Sequence, residues 1–207
     1  MEQIQEPSQA RQDAAVAVRR LVHGLVGNHS TDTDLAELAQ VASELADRLE
    51  ASERRVRPAS QVARHTEPVD DGGHLGCWPD CMVAGEAHPY GTGLHGYRDG
   101  DEAVVEVVLG RAHEGPPGRA HGGMVAALFD EAMGFATSMK AIPTYTAWLR
   151  VDYRAPMPLA KPIELRARMT DQERRKAYVA ATATCEGQLL AEAEGLFVIP
   201  REHLAPD

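Results

Sequence analysis

Apolar residues recur along this chain in two different rhythms. Over 13–26, DAAVAVRRLVHGLV, they fall at helical spacing, and over 34–56 Leu35, Leu38, Val41, Leu45 and Leu49 do the same. Asp34 with Glu37 has the form of a capping start to the second helix, and GNHSTD at 27–32 is the break between the two. Beyond Arg57 the rhythm stops. Residues 57–93 are rich in Pro, Gly, His and Asp and read as a linker, with Trp78 expected to pack it onto the rest. A two-residue rhythm then takes over in strand-like runs at 103–109, 147–153, 163–169, 177–185 and 189–199. Only one long apolar helix interrupts them, running from His121-Gly122-Gly123 to Met139. One helix cannot fill both faces of such a sheet. The pattern therefore predicts an α+β fold: an antiparallel sheet wrapped around one long helix, with an N-terminal helical extension. The divisions are 1–56 (helical extension), 57–93 (linker) and 94–207 (domain).

Composition narrows the function classes. The 207 residues are 43% apolar and 25% charged, ordinary for a globular protein. A formal charge of −10 argues against a general nucleic-acid binder, since phosphate binding needs a basic face. No apolar run approaches the length of a membrane span, and MEQIQEPSQARQD lacks a signal-peptide core, so a cytoplasmic location is the expectation. No metal and no cofactor is expected. Cys77 and Cys81 form a single C-x-x-x-C without a second pair, flanked by His74 and His88, and Cys185 sits in a strand-like run. Free thiols are the simpler reading, and His65, His74, His88 and His95 read as solvated loop histidines.

The candidate chemistry lies in Glu114 to Met139, EGPPGRAHGGMVAALFDEAMGFATSM. The first N–H groups of a helix lack intrahelical partners and carry partial positive charge. Gly122 and Gly123 have no side chain to keep a ligand oxygen away. Such a helix start suits an anion or a developing oxyanion. Asp130 and Glu131 sit two to three turns further on, where burying an unpartnered carboxylate is costly. They lie about 100° apart around the helix, so only one can point into a given site.

H-G-G-x(6)-D, read as His121-Gly122-Gly123 through Asp130, resembles the hotdog-fold acyl-CoA thioesterases of the phenylacetate-degradation (PaaI-like) type. The longer string EGPPG-x-x-HGG is similar to the branch that includes the C-terminal-modulator-protein thioesterases. The likeness covers roughly residues 78 to 200, judged from the strand and helix spacing. It implies a hotdog fold and hydrolysis of an acyl-CoA thioester. It also implies a homodimer or dimer of dimers, with active sites at the subunit interface.

The same resemblance assigns roles. Gly122 N–H polarises the thioester carbonyl, and Asp130, from the facing subunit, acts as nucleophile or as general base on water. His121 either holds the loop or orients substrate, the structural role being favoured. Thr146, ten residues before Pro156, matches a Ser or Thr that orients the acid or the water. Gly123 adds open backbone for substrate. Arg175 and Lys176, in the turn Arg174-Arg175-Lys176, match a phosphate contact for CoA, with Arg150, Arg154 and Lys161 as further cations. Met124, Leu128, Phe129, Met133 and Phe135 supply apolar surface to the acyl pocket or the core. The small residues Ala126, Ala127, Ala132, Gly134 and Ala136 are expected to let the sheet approach the helix.

This chain also departs from its relatives. Gly115 stands where some have an Asn, six residues before the histidine. Cys81 and Ala84 stand where related bacterial thioesterases often have C-x-x-C. Two other classes remain open: a hotdog hydratase or dehydratase, which usually needs an Asp–His dyad at another spacing, and a non-catalytic acyl-CoA sensor or scaffold using the N-terminal helices.

Overall fold

The computed structural model describes residues 7–55 and 67–201. The elements are α1 (Gln9–Gly27), α2 (Asp32–Glu50), β1 (His95–Asp99), β2 (Glu102–Val108), the helix α3 (Gly122–Ser138), β3 (Tyr145–Tyr153), β4 (Pro162–Glu173), β5 (Lys176–Cys185) and β6 (Gln188–Val198), with a 3-10 turn at Arg111–His113. All strands are antiparallel in one sheet of order β1-β2-β4-β5-β6-β3. Helix α3 lies across the sheet, against β2, β3, β4, β5 and β6. Leu128, Phe129, Met133 and Phe135 of α3 are fully buried among Val105, Leu165, Val179 and Phe197 of the sheet. Each such side chain contributes roughly 1.5–3 kcal/mol by leaving water. This is the sheet wrapped around a helix that the two rhythms predict.

Three details differ from the pattern. Strand β1 has no apolar alternation and is invisible in sequence. It forms because β2 offers a complete ladder, His95 opposite Glu106 through Asp99 opposite Glu102. Gly96 is what admits it, since a Cβ there would sit 3.0 Å from both Leu75 O and the Phe135 ring. The described part of the expected linker, 67–93, is not a free tether: Leu75 and Val83 belong to the buried cluster, and Leu75 N–H donates to Gly96 O at 2.8 Å. They anchor it more deeply than Trp78, which is half-buried. Finally, α2 begins at Asp32 with Thr31 as its cap, whose hydroxyl accepts from Asp34 N–H at 3.1 Å. The Asp34–Glu37 start is thus replaced by one three residues earlier, where an extended residue with a hydroxyl suits the N-cap.

The N-terminal helices are attached unequally. Helix α1 docks on the domain through Arg19, which donates to Glu86 O and His88 O, and through His23, whose Nδ1 accepts from Ala112 N–H at 3.2 Å. Helix α2 buries none of its residues.

Candidate active site at the start of helix α3

The loop ahead of α3 is tied down at every turn. Glu114 accepts from Gly118 N–H at 2.6 Å and pairs with Arg111, and these contacts hold its carboxyl below the ordinary range. Gly115 packs directly on His121: a Cβ there would lie 2.7 Å from His121 Cα. A larger residue, such as the Asn of some relatives, has no room in this loop. His121 N–H donates to His113 O at 2.8 Å, and His113 itself is buried, which lowers its pKa, with His23 beside it adding to the effect.

His121 is the N-cap of α3. Its Nδ1 accepts from Gly123 N–H at 3.0 Å. The cap therefore occupies the Gly123 donor, and a Cβ at Gly123 would press on the imidazole at 3.1 Å. Among the described residues Gly122 N–H has no acceptor. Its carbonyl accepts from Tyr153 OH at 2.8 Å. Of the two glycines, Gly122 is thus the one with a donor left for a ligand, and Gly123 is used internally. Sequence reasoning does not single out Tyr153. Its only signal is its place in the β3 alternation, on the side shared with Leu149 and Val151.

Further along α3, the two acids separate. Asp130 is half-buried on the open side of the helix, and its Oδ1 accepts from the Thr146 hydroxyl at 2.7 Å. Glu131 is 5% exposed, and its Oε2 faces the Cys81 thiol at 3.4 Å. The Cys81 thiol is lowered to about 7, first by a hydrogen bond from Cys77 and further by the backbone N–H groups of Ala84 and Val83, against the raising effects of burial and of Glu131.

A bulge lets Thr146 reach Asp130. The β3–β6 register slips at Ala147, with Thr146 opposite Phe197 and Trp148 opposite Leu196. Strict alternation would put Thr146 on the outer face with Trp148, Arg150 and Asp152. The extra residue turns it to the helix side. Arg150 stays on the outer face, paired with Asp152 at 3.2 Å, so one chain does not bring it to Asp130. The turn Arg174-Arg175-Lys176 ends at the start of β5, where Lys176 is opposite Val198 and Val198 is opposite Tyr145. Two strand spacings, about 10 Å, separate it from the residue next to Thr146. Arg175 Nε donates to Ile199 O at 2.8 Å, which fixes the turn.

The acyl-pocket candidates divide. Leu128, Phe129, Met133 and Phe135 are fully buried core, and only Met124 retains exposure. The small residues divide as well: Ala132 and Ala136 face the sheet, while Ala126, Ala127 and Gly134 are half-exposed on the side of Asp130.

A model of the thioesterase superfamily matches residues 117–192, from the loop before α3 into β6. The crystal structure of protein RHA08564, described as a thioesterase superfamily protein, superposes with a TM-score of 0.76 at 26% identity, covering 94% of this chain and 97% of that one. Residues 117–192 thus carry a domain of the thioesterase superfamily. Within it, the chain is similar to the phenylacetic acid degradation protein PaaI of Thermus thermophilus. A single-substitution variant of that protein has 31% identity and a TM-score of 0.46, with 48% of this chain and 86% of that one covered. It is also 31% identical over 105 residues to acyl-coenzyme A thioesterase THEM4 of Rattus norvegicus, covering 49% of this chain and 45% of the relative. The chain thus spans less than half the length of that curated relative. The thioesterase domain is a hotdog, a sheet around one long helix, and both N-terminal helices accompany it.

Proposed function

We propose that this protein hydrolyses acyl-CoA thioesters to a free acid and CoA, as a homodimer or dimer of dimers whose active sites combine two chains. The observation that carries the reading is the spacing along α3. Gly122 and Asp130 are eight residues apart, about 12 Å along the axis. One carbonyl cannot touch both. They are, however, symmetric about Ala126. Two α3 helices crossing antiparallel at Ala126 would bring Gly122 of each against the Asp130 of its partner. The half-exposed Ala126, Ala127 and Gly134 leave space for that approach. Strand β3 supports the same pairing. It is a nine-residue edge strand with Tyr145 57% and Trp148 44% exposed, and such an edge ordinarily finds a partner strand.

In this arrangement the thioester oxygen accepts from Gly122 N–H at the positive end of α3, where developing negative charge is stabilised. Tyr153, holding Gly122 O, and His121, capping Gly123, fix the direction of that N–H. Asp130, oriented by Thr146, attacks the thioester carbon or takes a proton from the attacking water. CoA leaves as its thiol. Arg175 and Lys176 supply positive charge for its phosphates. The relationship to acyl-coenzyme A thioesterase THEM4 favours CoA as the leaving group. We place the protein in the cytoplasm, a reducing compartment that suits cysteines kept as thiols rather than disulfides.

The test is release of free thiol from a series of acyl-CoAs of increasing chain length, with kcat/KM measured for each. Release above the uncatalysed rate for part of the series is the expected result. No release from any member would overturn the proposal in favour of a binding or scaffold role.

A further inference from the structure

We propose that Cys77, Cys81 and Glu131 form a binding site for a thiophilic divalent cation, with zinc the ion that fits the donor set. The three donor atoms lie within 4.8 Å of one another. They come from distant parts of the chain: two thiols from the turn ahead of β1, and a carboxylate from the buried side of α3. The turn is closed by Cys81 N–H to Trp78 O at 2.8 Å and Gly85 N–H to Cys81 O at 2.9 Å. Gly85 fits inside it so closely that a Cβ would meet Cys81 N and O at 2.5 Å. The backbone that carries the thiols is therefore set, and small side-chain rotations remain.

The geometry is close to that of a bound ion. Zinc holds sulfur at about 2.3 Å and carboxylate oxygen at about 2.1 Å, which puts neighbouring ligands of a tetrahedron roughly 3.5–3.8 Å apart. Cys81 Sγ and Glu131 Oε2 are already 3.4 Å apart. Closing the remaining separations takes about an ångström of side-chain movement. Two thiolates and one carboxylate select zinc over magnesium or calcium, which take oxygen ligands. Binding converts both thiols to thiolates and releases their protons to solvent. The charge of −3 on the ligands is then set against +2 on the ion, at a place where a carboxylate is 5% exposed. The half-buried thiols leave a route for entry, and water takes the fourth position.

The consequence is a clamp. The ion joins the 67–93 segment to α3 at the residue next to Asp130, and so fixes the rotation of the helix at that turn. The proposal does not depend on the hydrolase reading.

The experiment uses the full chain, reduced and stripped of metal, titrated with cobalt(II). The expected result is a thiolate-to-cobalt charge-transfer band in the near ultraviolet that saturates at one ion per chain, is displaced by zinc, and is unaffected by magnesium. The band is lost in Cys77→Ser/Cys81→Ser and kept in Cys185→Ala, and Glu131→Gln weakens cobalt affinity about tenfold or more. A second measurement needs no variant: zinc should slow alkylation of Cys77 and Cys81 in the natural chain, read by mass spectrometry, and leave Cys185 unchanged. No charge-transfer band, a band that survives the double cysteine variant, or alkylation indifferent to zinc would each overturn the proposal.

Discussion

Asp130 and Glu131 are neighbours in sequence and occupy opposite surroundings. Asp130 sits on the open side of α3, half-buried, with a hydroxyl on one oxygen. Glu131 is turned about 100° away, into the protein, against a thiol. The same functional group therefore serves two purposes. On the open side a carboxylate stays reachable from solvent. On the buried side it joins one segment of the chain to another. Helical geometry alone forces the division, and the sheet decides which acid goes which way, because Ala132, Phe135 and Ala136 claim the buried side with Glu131.

The contrast can be broken from the end proposed to be catalytic. Asp130→Asn should lower kcat/KM for acyl-CoA hydrolysis about 10³-fold, within the range for loss of a general base. Its elution in size-exclusion chromatography should stay that of the natural protein. An unchanged rate would remove Asp130 from the chemistry. Next in size is Gly122→Pro. Proline is tolerated at the first helical position, and His121, at φ −64 and ψ 135, already has the extended conformation that precedes a proline. The substitution thus deletes the unpaired N–H while the helix persists. The expected loss in kcat is about 10²-fold, comparable to removing one oxyanion donor, and circular dichroism should show helix content retained.

The buried acid should answer in stability. Glu131→Ala is expected to reduce the unfolding free energy by about 2 kcal/mol, from lost packing and the lost contact with the Cys81 thiol, as read by urea denaturation. Thr146→Val keeps the shape of the bulge and removes the hydroxyl. It should cost about tenfold in kcat/KM, the scale of one hydrogen bond to a charged group. The smallest effect concerns His113 beneath the loop. Burial depresses its pKa, so its contribution to stability is complete above the ordinary histidine value of about 6.5 and is lost as pH falls through the lower folded value. Unfolding free energy measured downward from pH 7.5 should decline over that window, and the decline should be shallower in His113→Gln.

Legibility in the sequence followed the strength of the local pattern. Helix α3 and strands β2 to β6 each carry a long apolar rhythm, and each formed within a few residues of its expected place. Strand β1 carries none, because its partner β2 and the close approach at Gly96 create it. The HGG start and Asp130 could be named from their spacing, since a cap and a helix position are local facts. Tyr153 could not, because its contact with Gly122 O spans 31 residues and depends on how β3 crosses the helix. Glu131 escapes the sequence view of the cysteines for the same reason: the donor that completes the thiol pair is 50 residues from Cys81.

The sequence by itself determined the three helices, strands β2 to β6, the glycine-opened start of α3 and the opposite facing of the two acids, because these follow from periodicities of 3.6 and 2 and from which side chains exist. The tertiary structure decided what those residues touch. The bulge at Ala147 turned Thr146 from the face its alternation assigned to the face where Asp130 lies. The packing of 67–93 on the core brought two thiols to Glu131. Both depend on contacts between parts of the chain that share no local pattern, so no window of sequence contains them.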